Sequence, residues 1–211
     1  MTSDSEYWAD YYAVTVERPA WETVRLAIER FRTEDESEAA RAGKRLDGRF
    51  AVDLGCGARR DTRQLLRAGW RVLAVDREPG ARVALEAAVE SELRARLEVQ
   101  IEDLATVSIP PCALVNASLC LPFLAPDDFH ATWRRIVAAL EPGNRFSAML
   151  FGDRDGSASD PDTTCLPPDQ IRAALAGFEI EHWSDKEEDT KTALGEPHHF
   201  HLVEFVARKM G

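Results

Sequence analysis

The sequence is short of cysteine, of positive charge and of long apolar runs, and each shortage excludes a class of protein. Four of the 211 residues are cysteines and none forms a C-x-x-C pair, so neither a disulfide framework nor a zinc knuckle is expected. The 26 Lys and Arg face 37 Asp and Glu, for a net charge of −11. This balance argues against nucleic acid as a partner, because binding phosphates needs clustered cations.

No apolar run approaches the roughly 20 residues that cross a bilayer, which argues against a membrane protein. The acidic start at residues 1–6 is unlike an export or transit sequence. We therefore expect a reduced, cytoplasmic protein that acts on a small molecule, as a monomer or homodimer.

Tyrosine is scarce and unevenly placed, since Tyr7, Tyr11 and Tyr12 are the only three. With Trp8 they make a segment too aromatic for a free tail. This segment either packs against the domain surface or closes as a lid over a cofactor or substrate. Because all three tyrosines lie before residue 13, the chain has no Tyr-x-x-x-Lys pair. This argues against the nicotinamide-dependent oxidoreductases that use such a pair.

Strands and helices alternate along the rest of the chain. Prolines 19, 79, 126 and 168 each precede a helical pattern. Apolar runs predict seven strands, at 50–54, 71–76, 97–101, 113–119, 145–151, 178–185 and 199–208. This order predicts an α/β fold, a doubly wound, mostly parallel sheet with an antiparallel edge hairpin. We expect one domain over 1–211, with a helical N-terminal extension or lid at 1–48 and the core at 49–211.

A glycine turn is the strongest functional signal. The strand 50–54 ends at Gly55 and Gly57, and a helical pattern follows at once. Glycine lets the backbone pass close to a ligand, and the helix N-terminus adds free N–H groups. The next strand ends in Asp76, and an acid there typically accepts both ribose hydroxyls. Together with Asp53, these residues predict an adenosine-containing ligand.

The pattern resembles a class I S-adenosylmethionine-dependent methyltransferase. Residues 52–57, Val-Asp-Leu-Gly-Cys-Gly, match the first motif of that superfamily, Asp76 its second-strand acid, and 141–146 its turn before the fifth strand. Details at 60–62, 116–119 and 199–209 resemble the small, tellurite-resistance-related members. The resemblance implies a Rossmann-like core, S-adenosyl-L-methionine as cofactor and methyl transfer by in-line displacement.

The resemblance also implies the cofactor-binding residues. Glu102, Asp103 and Leu104 fall beside the adenine, and Asn116 and Ala117 face the methyl group. Tyr11, Tyr12 and Arg18 of the lid close over the cofactor carboxylate. The complete predicted set is Tyr11, Arg18, Asp53, Gly55, Cys56, Gly57, Asp76, Arg77, Glu102, Asp103, Leu104, Asn116 and Ala117.

The chain departs from the family pattern at two places. Arg59 stands where glycine is common, and Asn116-Ala117-Ser118-Leu119 replaces the Asn-Pro-Pro-Tyr motif of nucleobase and glutamine methyltransferases. Two alternatives stay open, a nicotinamide-dependent oxidoreductase and a non-catalytic protein that binds S-adenosylmethionine. Against the first, Arg60 occupies the third glycine position of G-x-G-x-x-G.

Catalytic residues are not fixed by the sequence, because a sulfonium is already a good leaving group and positioning does most of the work. A base is needed only for a nucleophile that carries a proton. The candidates are His199 and His201, two apart and so on one strand face, and Asn116. No metal site is predicted, since no third ligand follows the histidines at a fixed spacing.

Overall fold

The computed structural model describes residues 4–42, 48–57 and 59–211. Their strands form one mixed sheet in the order β3-β2-β1-β4-β5-β8-β7, with a short β6 paired to β5. Among the described strands β8 alone runs in the opposite direction to the others. The strands are β1 Phe50–Leu54, β2 Arg71–Asp76, β3 Leu97–Ile101, β4 Cys112–Ser118, β5 Leu140–Gly152, β6 Cys165–Leu166, β7 Phe178–Lys191 and β8 Pro197–Lys209.

Helices cover both faces of this sheet. They are α1 Asp4–Thr15, α2 Glu22–Ala42, α3 Arg60–Arg67, α4 Pro79–Ala88, α5 Pro126–Ala139 and α6 Pro168–Ala174, with 3-10 turns at Arg94–Arg96 and Leu121–Phe123. Proline begins α4, α5 and α6, where its missing N–H costs nothing. None of the helices in these ranges has both the length and the apolar character needed to cross a membrane.

Alternation along each strand divides the core in two. In β1, Val52 and Leu54 pack on the side of α5 and α6, and Ala51 packs on the side of α2, α3 and α4. Buried residues on both faces are typical of a parallel sheet between helix layers. The predicted doubly wound α/β fold is confirmed.

One part of the N-terminal extension, helix α2, packs into this core. Val24 and Phe31 of α2 are buried with α3 and α4. Arg145 of β5, 1% exposed, pairs with Glu34 of α2 and Glu181 of β7 and lies 4.3 Å from the Phe31 ring centroid. The helix α2 is therefore fixed to the sheet, and only α1 lies outside it. The assignment of 1–211 to one domain stays a prediction.

The closing hairpin is longer than its apolar pattern predicts. β5 pairs with β8 only as far as Leu202, whereas β7 and β8 stay paired to Lys191 and Pro197. The extra residues of β7 are exposed and mostly polar, so they carry no apolar alternation that marks a strand. This hairpin arm, residues 186–201, projects past the carboxyl end of β5. The pattern after Pro79 predicts a helix to about Arg94, but α4 ends at Ala88. The charged segment 33–46 is consistent with an exposed helix or a loose connector, and α2 continues into it as far as Ala42.

Candidate functional site

A cavity of about 610 Å³ opens at the carboxyl ends of β1, β2 and β4. The glycine turn and Asp76 line its floor, and the hairpin arm lines one wall. The opposite wall is α1, through Tyr7, Trp8, Tyr11 and Tyr12. Ligands of open α/β sheets bind at this end of the strands, so the cavity is where the sequence places the cofactor.

The glycine turn has no room for side chains. Gly55 has φ +62°, and a Cβ there would lie 2.3 Å from Cβ of Cys120. Gly57 has φ +41°, and a Cβ there would lie 3.0 Å from the Tyr12 ring. Arg59, at the usual glycine position, also has a positive φ of 70°, but its guanidinium donates to the carbonyl of Ala84 at 2.5 Å and does not line the cavity. The substitution therefore leaves the turn open.

Asp76 sits at the centre of the predicted nucleoside site. Its carboxylate accepts the backbone N–H of Gly57 at 2.8 Å and of Glu78 at 2.9 Å. The Tyr12 hydroxyl donates to the two carboxylate oxygens at 3.1 and 3.2 Å. Burial and the nearby Asp76 raise the pKa of Tyr12, so its phenol stays a donor. Tyr12 thus occupies the position expected for ribose hydroxyls, and not the carboxylate end of the cofactor where the lid hypothesis placed it.

Asp53 lies beneath the glycine turn, where it is part of a buried network of hydrogen bonds. Thr62 Oγ1 donates to it at 2.5 Å, and Asn116 Nδ2 donates to it at 2.8 Å and to Asp61 at 3.1 Å. Asp61 also accepts the backbone N–H of Trp21. Burial, with the nearby Asp61 carboxylate, raises the pKa of Asp53 to about 7. The network joins β1, α3, β4 and the start of α2 beneath the cavity.

Most of the predicted cofactor residues come together at this cavity. Those that line it are Tyr11, Arg18, Asp53, Gly55, Cys56, Gly57, Asp76, Arg77, Asp103 and Leu104. Three do not. Glu102 pairs instead with Gln100, Asn116 is fully buried in the network below the turn, and Ala117 is buried in the core. The residues of β4 that reach the cavity are those that follow, Ser118, Leu119 and Cys120.

The two candidate catalytic histidines lie on the wrong face of β8. His198, Phe200, Leu202 and Glu204 line the cavity, so the alternating residues His199 and His201 point away from it. His201 is fully buried: its Nδ1 accepts the N–H of Arg154 and its Nε2 lies 2.9 Å from Asp185. His199 lies on the exposed face of the arm, and its hydrogen bond to Asp189 raises its pKa.

His198 is the histidine that reaches the cavity. Its Nε2 lies 2.9 Å from Oδ1 of Asp155, whose side chain is 0% exposed. Only the sheet register shows that this face of β8, and not the face of His199 and His201, meets the cavity. Among the residues described, no group of three or more His, Cys, Asp or Glu is arranged to hold a metal ion.

Several cavity residues carried no sequence signal. The Arg60 guanidinium lies 4.0 Å from the Trp21 ring centroid, and both side chains line the cavity. Leu119 has φ 54° at the end of β4, a strained conformation that is common at functional sites. Other cavity residues that were not predicted include those of the hairpin arm together with Thr15, Asp61, Phe123, Leu124, Phe151, Ser157, Leu202 and Glu204.

Comparisons with known proteins agree with this geometry. Residues 51–143 match the family model of a methyltransferase domain. The match shows similarity to a methyltransferase domain over that region of the chain. The matched region contains the glycine turn, Asp76, Asp103 and the end of β4. No curated protein sequence matches the chain significantly.

Solved structures with the same fold are distant in sequence. TehB from Haemophilus influenzae superposes with a TM-score of 0.64 at 12% identity, over 84% of this chain and 62% of TehB. A Methanosarcina mazei methyltransferase gives 0.60 at 19%, over 78% and 94%. The 1,6-didemethyltoxoflavin-N1-methyltransferase of Burkholderia thailandensis, with S-adenosylhomocysteine bound, gives 0.58 at 20%, over 100% and 92%. This chain thus spans less than two thirds of TehB.

Proposed function

We propose that this protein transfers a methyl group from S-adenosyl-L-methionine to a small-molecule acceptor by in-line displacement. The observation that carries the proposal is the pairing of Asp76 with the Gly55–Gly57 turn on the floor of one cavity. A carboxylate faces the ligand space there, and both glycines have positive φ values in crowded surroundings. This combination fits a ribose beside a close backbone approach.

The chain's own residues then divide the work of holding the cofactor. Asp76 would accept the ribose hydroxyls once Tyr12 has left it, and Asp103 and Leu104 would contact the adenine. Arg18 and Arg60 line the cavity near α1 and supply cations for the carboxylate of the methionine end. The bound cofactor supplies the methyl group on a sulfonium, and the walls position the acceptor and exclude water.

The cavity fits a small acceptor better than a polymer. Its walls carry Trp8, Phe123, Phe151 and Phe200, and Trp8 closes on Phe123 with ring centroids 5.1 Å apart. The net charge of −11 disfavours a polyanion. The toxoflavin-pathway neighbour, whose own acceptor is a small molecule, supports the same class. A cytoplasmic location and a monomer or homodimer belong to the same proposal.

Calorimetric titration with S-adenosylhomocysteine, and with NADH as the control ligand, tests the cofactor. We expect micromolar binding of S-adenosylhomocysteine alone. Binding of NADH alone would instead establish the oxidoreductase alternative. Binding of S-adenosylhomocysteine without turnover on amines, phenols or thiols would establish the non-catalytic alternative.

Asp76→Ala tests the site itself. The variant loses hydrogen bonds to a charged acceptor, worth about 1.5–3 kcal/mol each, so the affinity for S-adenosylhomocysteine should fall by at least tenfold. Circular dichroism checks that the variant is folded. An unchanged affinity in a folded variant would remove Asp76 from the binding site.

A further inference from the structure

One buried carboxylate on the cavity wall has no partner. Glu204 of β8 is 8% exposed and lines the cavity. Its side chain accepts no hydrogen bond and forms no ion pair with any residue that the structure describes. The carboxylate lines the cavity, so a cationic group that enters there can supply the ion pair that the described chain does not.

The sheet register places Glu204 on the acceptor side of the site. Ser118 at the end of β4 lies level with Met149 of β5, which pairs with Glu204. Glu204 is thus two strands from Ser118 and four from Asp76, roughly 10 and 19 Å at the usual strand spacing of about 4.8 Å. The nucleoside end of the cofactor binds at Asp76, so Glu204 faces the far end of the cavity.

The surroundings of Glu204 are apolar along its own strand. Leu202 and Val206 flank it on the same face, and Val206 is fully buried. Ser184, directly across on β7, has a buried hydroxyl and does not line the cavity. Glu204 is thus a carboxylate with apolar neighbours along its own strand at the cavity wall, and a few polar groups in an apolar lining are typical of a binding site.

We propose that Glu204 binds the acceptor as an amine and is its general base; this rests on the proposed methyltransferase function. A carboxylate pairs with an ammonium ion and removes its proton to give a neutral nucleophile. A neutral phenol or thiol brings no positive charge to the carboxylate, so it gains a hydrogen bond there but not the ion pair that an ammonium ion gains. Glu204 therefore favours nitrogen acceptors over oxygen and sulfur acceptors.

The transfer balances as follows. The acceptor ammonium gives one proton to a Glu204 carboxylate oxygen, and the freed nitrogen lone pair forms the N–CH₃ bond. The S–CH₃ bond breaks, its electron pair stays on sulfur, and the positive charge moves from sulfur to the methylated nitrogen. Glu204 later returns its proton to water.

The test uses phenethylamine and its neutral analogue 2-phenylethanol, titrated calorimetrically into the full chain saturated with S-adenosylhomocysteine. We expect the wild type to bind the amine at least tenfold more tightly than the alcohol. Glu204→Gln should abolish that preference, and Glu204→Asp should retain part of it. Glu98→Gln, the same change at an exposed residue of β3, should leave both affinities unchanged.

A turnover assay follows methylation of phenethylamine, phenol and thiophenol by mass spectrometry. A general base contributes about 10²–10⁴-fold, so Glu204→Gln should lose at least 100-fold on the amine while S-adenosylhomocysteine affinity changes less than twofold. Equal binding of amine and alcohol by the wild type, or equal amine turnover by both proteins, would overturn the role of Glu204. Failure of the wild type to bind S-adenosylhomocysteine would instead refute the methyltransferase proposal.

Discussion

Removal of the Tyr12 hydroxyl should strengthen cofactor binding. Tyr12 donates to both oxygens of Asp76, and the ribose must take over those positions. Tyr12→Phe keeps the aromatic wall of α1 but leaves Asp76 with only the N–H groups of Gly57 and Glu78. The ribose then competes with water and no longer with a fixed phenol.

The size of the effect follows from the contact geometry. Hydrogen bonds to a charged group contribute about 1.5–3 kcal/mol. The distances from Tyr12 Oη to the carboxylate oxygens, 3.1 and 3.2 Å, are longer than the roughly 2.7–2.8 Å of a strong hydroxyl donor, so the lower bound applies. About 1.5 kcal/mol corresponds to a tenfold lower Kd for S-adenosylhomocysteine.

Calorimetry on wild type, Tyr12→Phe, Asp76→Asn and the double variant forms a complete cycle. If Tyr12 acts through Asp76, the gain from Tyr12→Phe disappears in the Asp76→Asn background. Weaker binding by Tyr12→Phe would refute this reasoning, because it would show that the hydroxyl contacts the bound cofactor.

Two further predictions concern stability. The pKa of Asp53 is about 7 in the folded state and roughly 3.9 in the unfolded state. Between these two pH values the folded state binds more protons than the unfolded state. The free energy of unfolding therefore falls as the pH rises from about 4 to 7. Urea titrations at pH 5 and pH 8 measure this loss of stability, and the free energy of unfolding of Asp53→Asn should fall less between the two pH values than that of the wild type. An equal fall in both proteins would contradict the prediction. Gly55→Ala should cost about 2–4 kcal/mol, from its positive φ and the clash with Cys120. Gly177→Ala, at φ +85° with open space around it, should cost only about 1–2 kcal/mol. Thermal melts of both variants measure these losses of stability, and equal losses would exclude the clash.

The parts of the site that the sequence predicts are those held by local chemistry. Gly55, Gly57 and Asp76 follow directly from strand ends and a turn, and these are features of short segments. The doubly wound sheet follows from alternating periods in the same way. Each of these predictions needs only a few neighbouring residues and no knowledge of which strands pair.

The remaining parts depend on register and on long-range packing. Asn116 lies at a strand end as predicted, but the alternation of β4 turns its amide down to Asp53 and Asp61. For His199 and His201 the spacing correctly predicts a shared face, yet only the pairing of β8 with β5 decides which face meets the cavity. Glu204 carries no motif, and its burial without a partner is visible only in three dimensions.

Helix α1 contacts both the locally encoded part of the site, at Asp76, and the part that depends on long-range packing. Its contacts with the sheet end run through a few side chains, notably Trp8 on Phe123 and Tyr12 on Asp76, and its Val14 is 51% exposed. An element with so little buried apolar surface opens at a lower free energy than the core does. On the proposed function, we infer that cofactor entry requires only that α1 release Asp76, while α2 stays fixed to the sheet by Arg145 and Glu34. Because Tyr7, Trp8 and Tyr11 line the same cavity, that one movement also opens the path for the acceptor toward Glu204.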